Sequence, residues 1–205
     1  MVLVHGFTQT LRSWDPVAST LARGHRVVTV DLPGHGGSGA SRLAFEATAR
    51  VLARVGPAAF VGYSMGGRLC LRVALDHPAA VSALVLLGAS PGIPDPAVRR
   101  ARLAEDDERA RALERDGVET FVDRWLQGPL FETLPAAAAG REHRLVNRAE
   151  DLAAALDDVP YACGLGTATL LAADVVADPL VPRGGHLAVR RPQPDPELLD
   201  RYDVG

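Results

Sequence analysis

Residues 59–61 form a short apolar run that leads into Gly62-Tyr63-Ser64-Met65-Gly66-Gly67, and an apolar segment of helical length follows without a break. A serine set among glycines between a strand and a helix constrains the chain strongly, because so sharp a turn needs backbones that approach closely and side chains that are absent. The turn lifts Ser64 to a helix N-terminus, where the helix dipole favours developing negative charge. Further β-branched runs at residues 2–4, 26–30 and 83–87 each lie next to a glycine or proline turn, and helix-length segments at 14–22, 43–55 and 65–76 fall between them. This alternation predicts an α/β fold with a mostly parallel sheet covered by helices on both faces.

The 205 residues suit one domain with a substantial core. A net charge of −3 removes the diffuse basic field that a phosphate-backbone binder needs, so nucleic acid is not an expected partner. All 22 basic residues are arginine. Lysine Schiff-base chemistry is thereby excluded, whereas planar recognition of carboxylates is well supplied. Cys70 and Cys163 have neither the spacing of a disulfide framework nor partners for a zinc site, and no metal is expected. The loop Asp31-Leu32-Pro33-Gly34-His35-Gly36-Gly37-Ser38 lacks the lysine of a phosphate loop and the register of a dinucleotide fingerprint, so no cofactor is expected either. With no signal-peptide pattern and no membrane-length apolar run, the expectation is a cytoplasmic protein without a membrane partner, monomeric or homodimeric.

From residue 95 to 158 the chain turns to Ala/Arg/Glu/Leu stretches broken at Gly117, Gly128-Pro129 and Pro135, which reads as a helical lid inserted into the fold. The charge run 109–115 within it reads as a solvated face. The division is then 1–94 for the first part of the core, 95–158 for the lid and 159–205 for the rest of the core. Strand character returns at 169–173, before Asp178-Pro179-Leu180-Val181-Pro182 and Gly184-Gly185-His186-Leu187, and the remaining tail is rich in proline and charge.

The loop, the serine turn and the strand order resemble the α/β-hydrolase superfamily over at least residues 1–90. Within it, Gly62 to Arg68, Ala89-Ser90-Pro91-Gly92-Ile93, Phe121 to Trp125 and Pro129-Leu130-Phe131 are similar to the synthases of 2-succinyl-6-hydroxy-2,4-cyclohexadiene-1-carboxylate in menaquinone biosynthesis. Those enzymes are lyases that eliminate pyruvate from a cyclohexene intermediate bearing several carboxylates. The resemblance implies a triad of Ser64, Asp178 and His186, and an oxyanion hole from the backbone N–H groups of Phe7 and Met65. It also implies a small anionic substrate held by Arg68, Arg102 and Arg144, with Trp125 and Tyr63 beside it. His5 and His35 are read as residues that fix turns.

Two features keep other readings open. Eight positions separate Asp178 from His186, where the family places successive parallel strands, and the chain is expected to be shortened at both ends. A catalytically impaired hydrolase-fold domain, or a serine esterase or C–C bond hydrolase using Ser64 as nucleophile, fits the same serine turn.

Overall fold

The computed structural model describes residues 1–158 together with strand segments 176–177 and 187–190. A six-stranded sheet runs in the order β2-β1-β3-β4-β6-β5, built from β1 (Val2–Val4), β2 (Val28–Val30), β3 (Ala58–Tyr63), β4 (Val81–Leu87), β5 (Val176–Ala177) and β6 (Leu187–Arg190). The first four strands are parallel, with Val2 opposite both Val28 and Phe60. Helix α1 (Asp15–Leu21) connects β1 to β2, α2 (Phe45–Ala53) connects β2 to β3, and α3 (Met65–Asp76) connects β3 to β4.

Strand alternation divides the apolar side chains between two faces. Val2, Val4, Phe60, Leu84 and Leu86 point to one side, where Phe45, Ala49 and Leu52 of α2 and Leu69, Cys70 and Val73 of α3 cover them. Leu3 and Val61 point to the other, against Trp14, with Ala18 and Leu21 of α1 at the edge of the cluster. Cys70 is wholly buried, and burial raises its thiol far above the usual range, so it serves as a core residue.

The segment after β4 is helical, as its composition predicts. Asp95 caps α4 (Pro96–Leu126) by accepting from the backbone of Ala97 at 2.7 Å and Val98 at 3.0 Å, with Pro96 at the first helical position. Gly117, at φ 78°, ψ 166°, breaks α4 into two arms. Short α5 (Arg141–Arg144) and α6 (Ala149–Asp158) follow. Leu113 and Phe121 of α4 and Leu152 and Leu156 of α6 join the apolar cluster on the sheet, so helical segment and sheet share one core. No helix among the described residues is long and apolar enough to cross a membrane.

Two differences from the sequence reading concern the last part of the chain. Strand β6 runs antiparallel to both β4 and β5, with Leu86 opposite Leu187 and Ala177 opposite Leu187 in the two pairings. The short stretch after β5 suits an antiparallel return, whereas a parallel crossover needs a dozen or more residues. Residues 187–190, at the start of the tail that composition marks as rich in proline and charge, form this strand by pairing with β4 and β5. The strand expected at 169–173 lies outside the described residues.

Close packing at the sheet centre depends on Gly66. A Cβ there would fall 2.4 Å from the carbonyl oxygens of both Val4 and His5, which belong to backbone and cannot swing aside. Gly66→Ala is therefore expected to lower stability by about 3 kcal/mol, the upper end of an overpacking cost, measured as a shift in the urea midpoint at unchanged m-value.

Candidate active site

Val4 of β1 lies opposite Gly62 of β3, so the loops that follow the two strands leave the sheet at the same level and side by side. In the second loop Ser64 stands at φ 51°, ψ −115°, one of two non-glycine residues with positive φ among those described. Its N–H donates to Leu87 O at 2.8 Å, and its carbonyl accepts from Arg68 N at 3.1 Å, at the start of α3. The turn closes only because Gly62 has no side chain: a Cβ there would lie 2.5 Å from Gly66 O and Gly67 Cα. Ser64 itself is half-buried, and its hydroxyl makes no hydrogen bond among the described residues. The Met65 N–H is the first of α3 and belongs to the amides that a helix start leaves without an intrahelical acceptor.

The first loop is organised by His5. Leu32 N donates to His5 Nε2 at 3.1 Å, so Nε2 is the accepting nitrogen and Nδ1 carries the proton, which it gives to Gly6 O at 2.8 Å. Gln9 N also donates to Gly6 O, at 3.2 Å. The peptide that follows is trans, so the Phe7 N–H points away from the His5 and Gln9 side. His5 is thus a turn residue that sets a peptide plane, in keeping with the sequence reading.

His35 lies beside it, with ring centroids 5.1 Å apart, and its Nδ1 donates to Pro33 O at 2.9 Å. Phe7 packs edge-on against the His35 ring at 5.8 Å. Both histidines are fully buried. Burial pushes His5 down to about 4, helped by the positive charge of Arg144, and pushes His35 down to about 3, helped by His5.

Thr8, the other residue with positive φ, at 64°, continues this loop and is completely buried. Arg144 reaches it from α5: Nη1 donates to Thr8 Oγ1 and, at 3.4 Å, to Phe7 O, while Nε donates to Ala139 O at 3.0 Å. The guanidinium also lies 5.6 Å from the Phe131 ring centre. Arg144 therefore belongs to the immediate surroundings of the Phe7 loop. Arg68 is buried one helical turn beyond Ser64.

Arg102 lies on α4, where its Nε donates to Asp106 Oδ1 at 3.0 Å; Arg109 Nη1 reaches the same oxygen at 2.5 Å. Asp106 is almost fully buried, so Arg109 departs from the solvated face expected of the run 109–115. It lies over the Trp125 ring at 5.8 Å. Trp125 stacks on Phe121 at 6.0 Å and meets Phe7 edge-on at 5.7 Å, which carries the helical segment directly onto the loop after β1. Tyr63 packs on the opposite face of the sheet with Leu3, Trp14 and Val61, and its ring lies under Gly6. Asp178 and His186 lie outside the described residues.

Thr8, Asp31, Asp106 and Asn147 are structural parts of this region that the sequence did not single out. Asp31 accepts from Leu11 N at 2.7 Å and Gly37 N at 2.8 Å and ties its loop to the chain after β1. Asp31 carried a signal, as the first residue of a glycine-rich loop. Asp106 pairs within its own helix, with Arg102 four positions before it and Arg109 three after, inside a charge run that reads as solvated, whereas Thr8 and Asn147 act through local strain or over long sequence separations that no spacing marks. Among the described residues no group of His, Cys, Asp and Glu is arranged to hold a metal ion.

A family described as alpha/beta hydrolase fold matches residues 1–125, and the chain belongs to that family. Its relatives include the 2-succinyl-6-hydroxy-2,4-cyclohexadiene-1-carboxylate synthase of Enterobacter sp. (strain 638), 33% identical over 141 residues that make up 65% of this chain and 54% of that protein. The putative synthase of the same name from Bacillus subtilis (strain 168) is 34% identical over 155 residues, 71% of this chain and 56% of the relative. The chain spans about half the length of these two relatives. The solved structure of MenH from S. aureus superposes with a TM-score of 0.73 at 32% identity, covering 80% of this chain and 68% of that one.

The buried histidines have a consequence for stability. Unfolded imidazoles titrate near 6.5, whereas His5 and His35 in the folded protein resist protonation until about 4 and about 3. Below pH 6.5 the unfolded chain binds protons that the folded chain refuses, so stability falls with pH through the interval from 6.5 towards those lower values. Thermal midpoints are expected to be flat above pH 7 and to drop between pH 6.5 and 5; His35→Asn is expected to reduce that slope.

Proposed function

We propose that this chain carries a lyase activity like that of its synthase relatives: elimination of pyruvate from a cyclohexene intermediate bearing several carboxylates, in menaquinone biosynthesis. The observation that carries this reading is the strained Ser64 at the head of α3, level with the Phe7 loop and accompanied by Arg68 and Arg144.

In this reading His186, oriented by Asp178, takes the proton of Ser64, and the serine oxygen removes the proton alpha to a carbonyl of the substrate. The electron pair moves onto the carbonyl oxygen, and the Phe7 and Met65 N–H groups meet the developing charge. The enolate then expels the enolpyruvyl group, which leaves as pyruvate after protonation, with no acyl-enzyme formed. Guanidinium forks from Arg68, Arg102 and Arg144 hold the carboxylates, and the helical segment 95–158, carrying Trp125 over Phe7, serves as the lid. The reaction calls on no cofactor, and the substrate is a small anion handled in the cytoplasm.

Two substitutions at Ser64 separate its chemical role from its strain. Ser64→Ala is expected to lower kcat for pyruvate release by about 10²–10⁴-fold, followed in a coupled assay, with stability close to that of the parent because alanine inherits the same backbone conformation. Ser64→Gly is expected to be equally inactive yet more stable by about 1 kcal/mol, since glycine removes the conformational cost. A folded wild-type protein that releases no pyruvate but gives a nitrophenol burst from small esters would replace the lyase reading with an esterase.

A further inference from the structure

Asn147, between α5 and α6, is buried, and its amide joins three separate segments. Nδ2 donates to Thr8 O at 2.8 Å and to Arg144 O at 2.9 Å, while Oδ1 accepts from Gly36 N at 2.7 Å. Two carbonyls on one side and an N–H on the other admit a single orientation of the amide, so neither a carboxylate nor an apolar group of equal size can replace it.

Thr8 is the residue that needs such support. A β-branched residue at φ 64° persists only where its surroundings hold it, and the hold on Thr8 comes from one short stretch: Arg144 on its hydroxyl and Asn147 on its carbonyl. Phe7, whose N–H the proposed function assigns to the developing negative charge, is the preceding residue. On the other side Phe7 is set by the Gly6 carbonyl and its bonds to His5 and Gln9.

We propose that Asn147 is a positioning residue for the reaction. It fixes the Phe7–Thr8 backbone from the lid side, so that the Phe7 N–H is aimed before charge develops, and it locks that loop to the neighbouring loop at Gly36. The proposal rests on the oxyanion role of Phe7 in the preceding reading. Because a preorganised donor acts on the transition state while the arginines bind the carboxylates in the ground state, loss of Asn147 should appear in kcat and leave KM in place.

Asn147→Asp keeps the size of the side chain and an acceptor for Gly36 N, but turns oxygen towards two carbonyls. Asn147→Ala serves where the aspartate variant does not fold, since it removes the bonds without adding that repulsion. Either variant is expected to lower kcat for pyruvate release 10- to 100-fold with KM within twofold of the parent. Amide exchange followed by mass spectrometry is expected to quicken at least tenfold in peptides covering residues 6–10 and 36–38, and to stay unchanged across α3. Unchanged kcat per folded molecule, or protection lost evenly over the chain, would overturn the proposal, because either marks a merely structural asparagine. If the wild-type protein releases no pyruvate, the functional reading fails and the role in that reaction falls with it, while exchange separately decides whether Asn147 holds the Phe7–Thr8 backbone: loss confined to 6–10 and 36–38 upholds that hold, and any other pattern removes it.

Discussion

Between β3 and α3 the backbone passes so near itself that a single methyl group at Gly62 would meet the carbonyl of Gly66, and one at Gly66 would meet β1. This closeness forces Ser64 into a conformation L residues avoid, and the conformation persists because the elements on either side are fully committed elsewhere. Phe60 and Val61 anchor the strand on opposite faces of the sheet, and Met65, Leu69 and Val73 anchor the helix in the larger apolar cluster. Burial of these side chains, worth roughly 1.5–3 kcal/mol for each large one, exceeds the cost of one strained residue several times over. The hydroxyl is therefore presented by a rigid frame that does not relax when the surroundings change.

The electrostatic character of the region is local and owes nothing to the overall charge, which is negative. Arg68 and Arg144 are buried beside the two loops, and His5 and His35 are kept neutral by burial, with Arg144 adding to the effect at His5. A neutral His5 is needed for its role: a proton on Nε2 would face the Leu32 N–H and break the bond that fixes the Gly6–Phe7 peptide. Positive charge beside these loops thus resides in guanidinium groups and not in imidazoles.

The strand-helix alternation through residue 87 and the serine turn were legible because each rests on short-range rules: β-branched runs, the apolar helix after Met65 and glycines where backbones touch. The helical nature of 95–158 was legible from composition, but its attachment to the sheet was not. Arg109 sits in a run of charges that looks solvated, and only the burial of Asp106 three residues earlier shows where it turns. Asn147 meets Thr8 across 139 positions and Gly36 across 111, and such pairings leave no trace in local sequence. The same holds for the antiparallel entry of β6, since strand direction is decided by the partner already in place and not by the strand's own residues.

One property of the sheet bears on how the molecule is made. Strand β1 precedes in the chain the five strands with which it shares a sheet, yet it lies in the interior of that sheet, with β2 on one flank and β3 on the other. Val2, Leu3 and Val4 have no exposed surface in the finished protein, and their second flank arrives only with Phe60 and Val61. Synthesis must run nearly sixty residues beyond β1 before it can be enclosed, so the nascent chain carries a sticky apolar triplet for that interval. Chaperone capture during translation would have this triplet as a target throughout that interval.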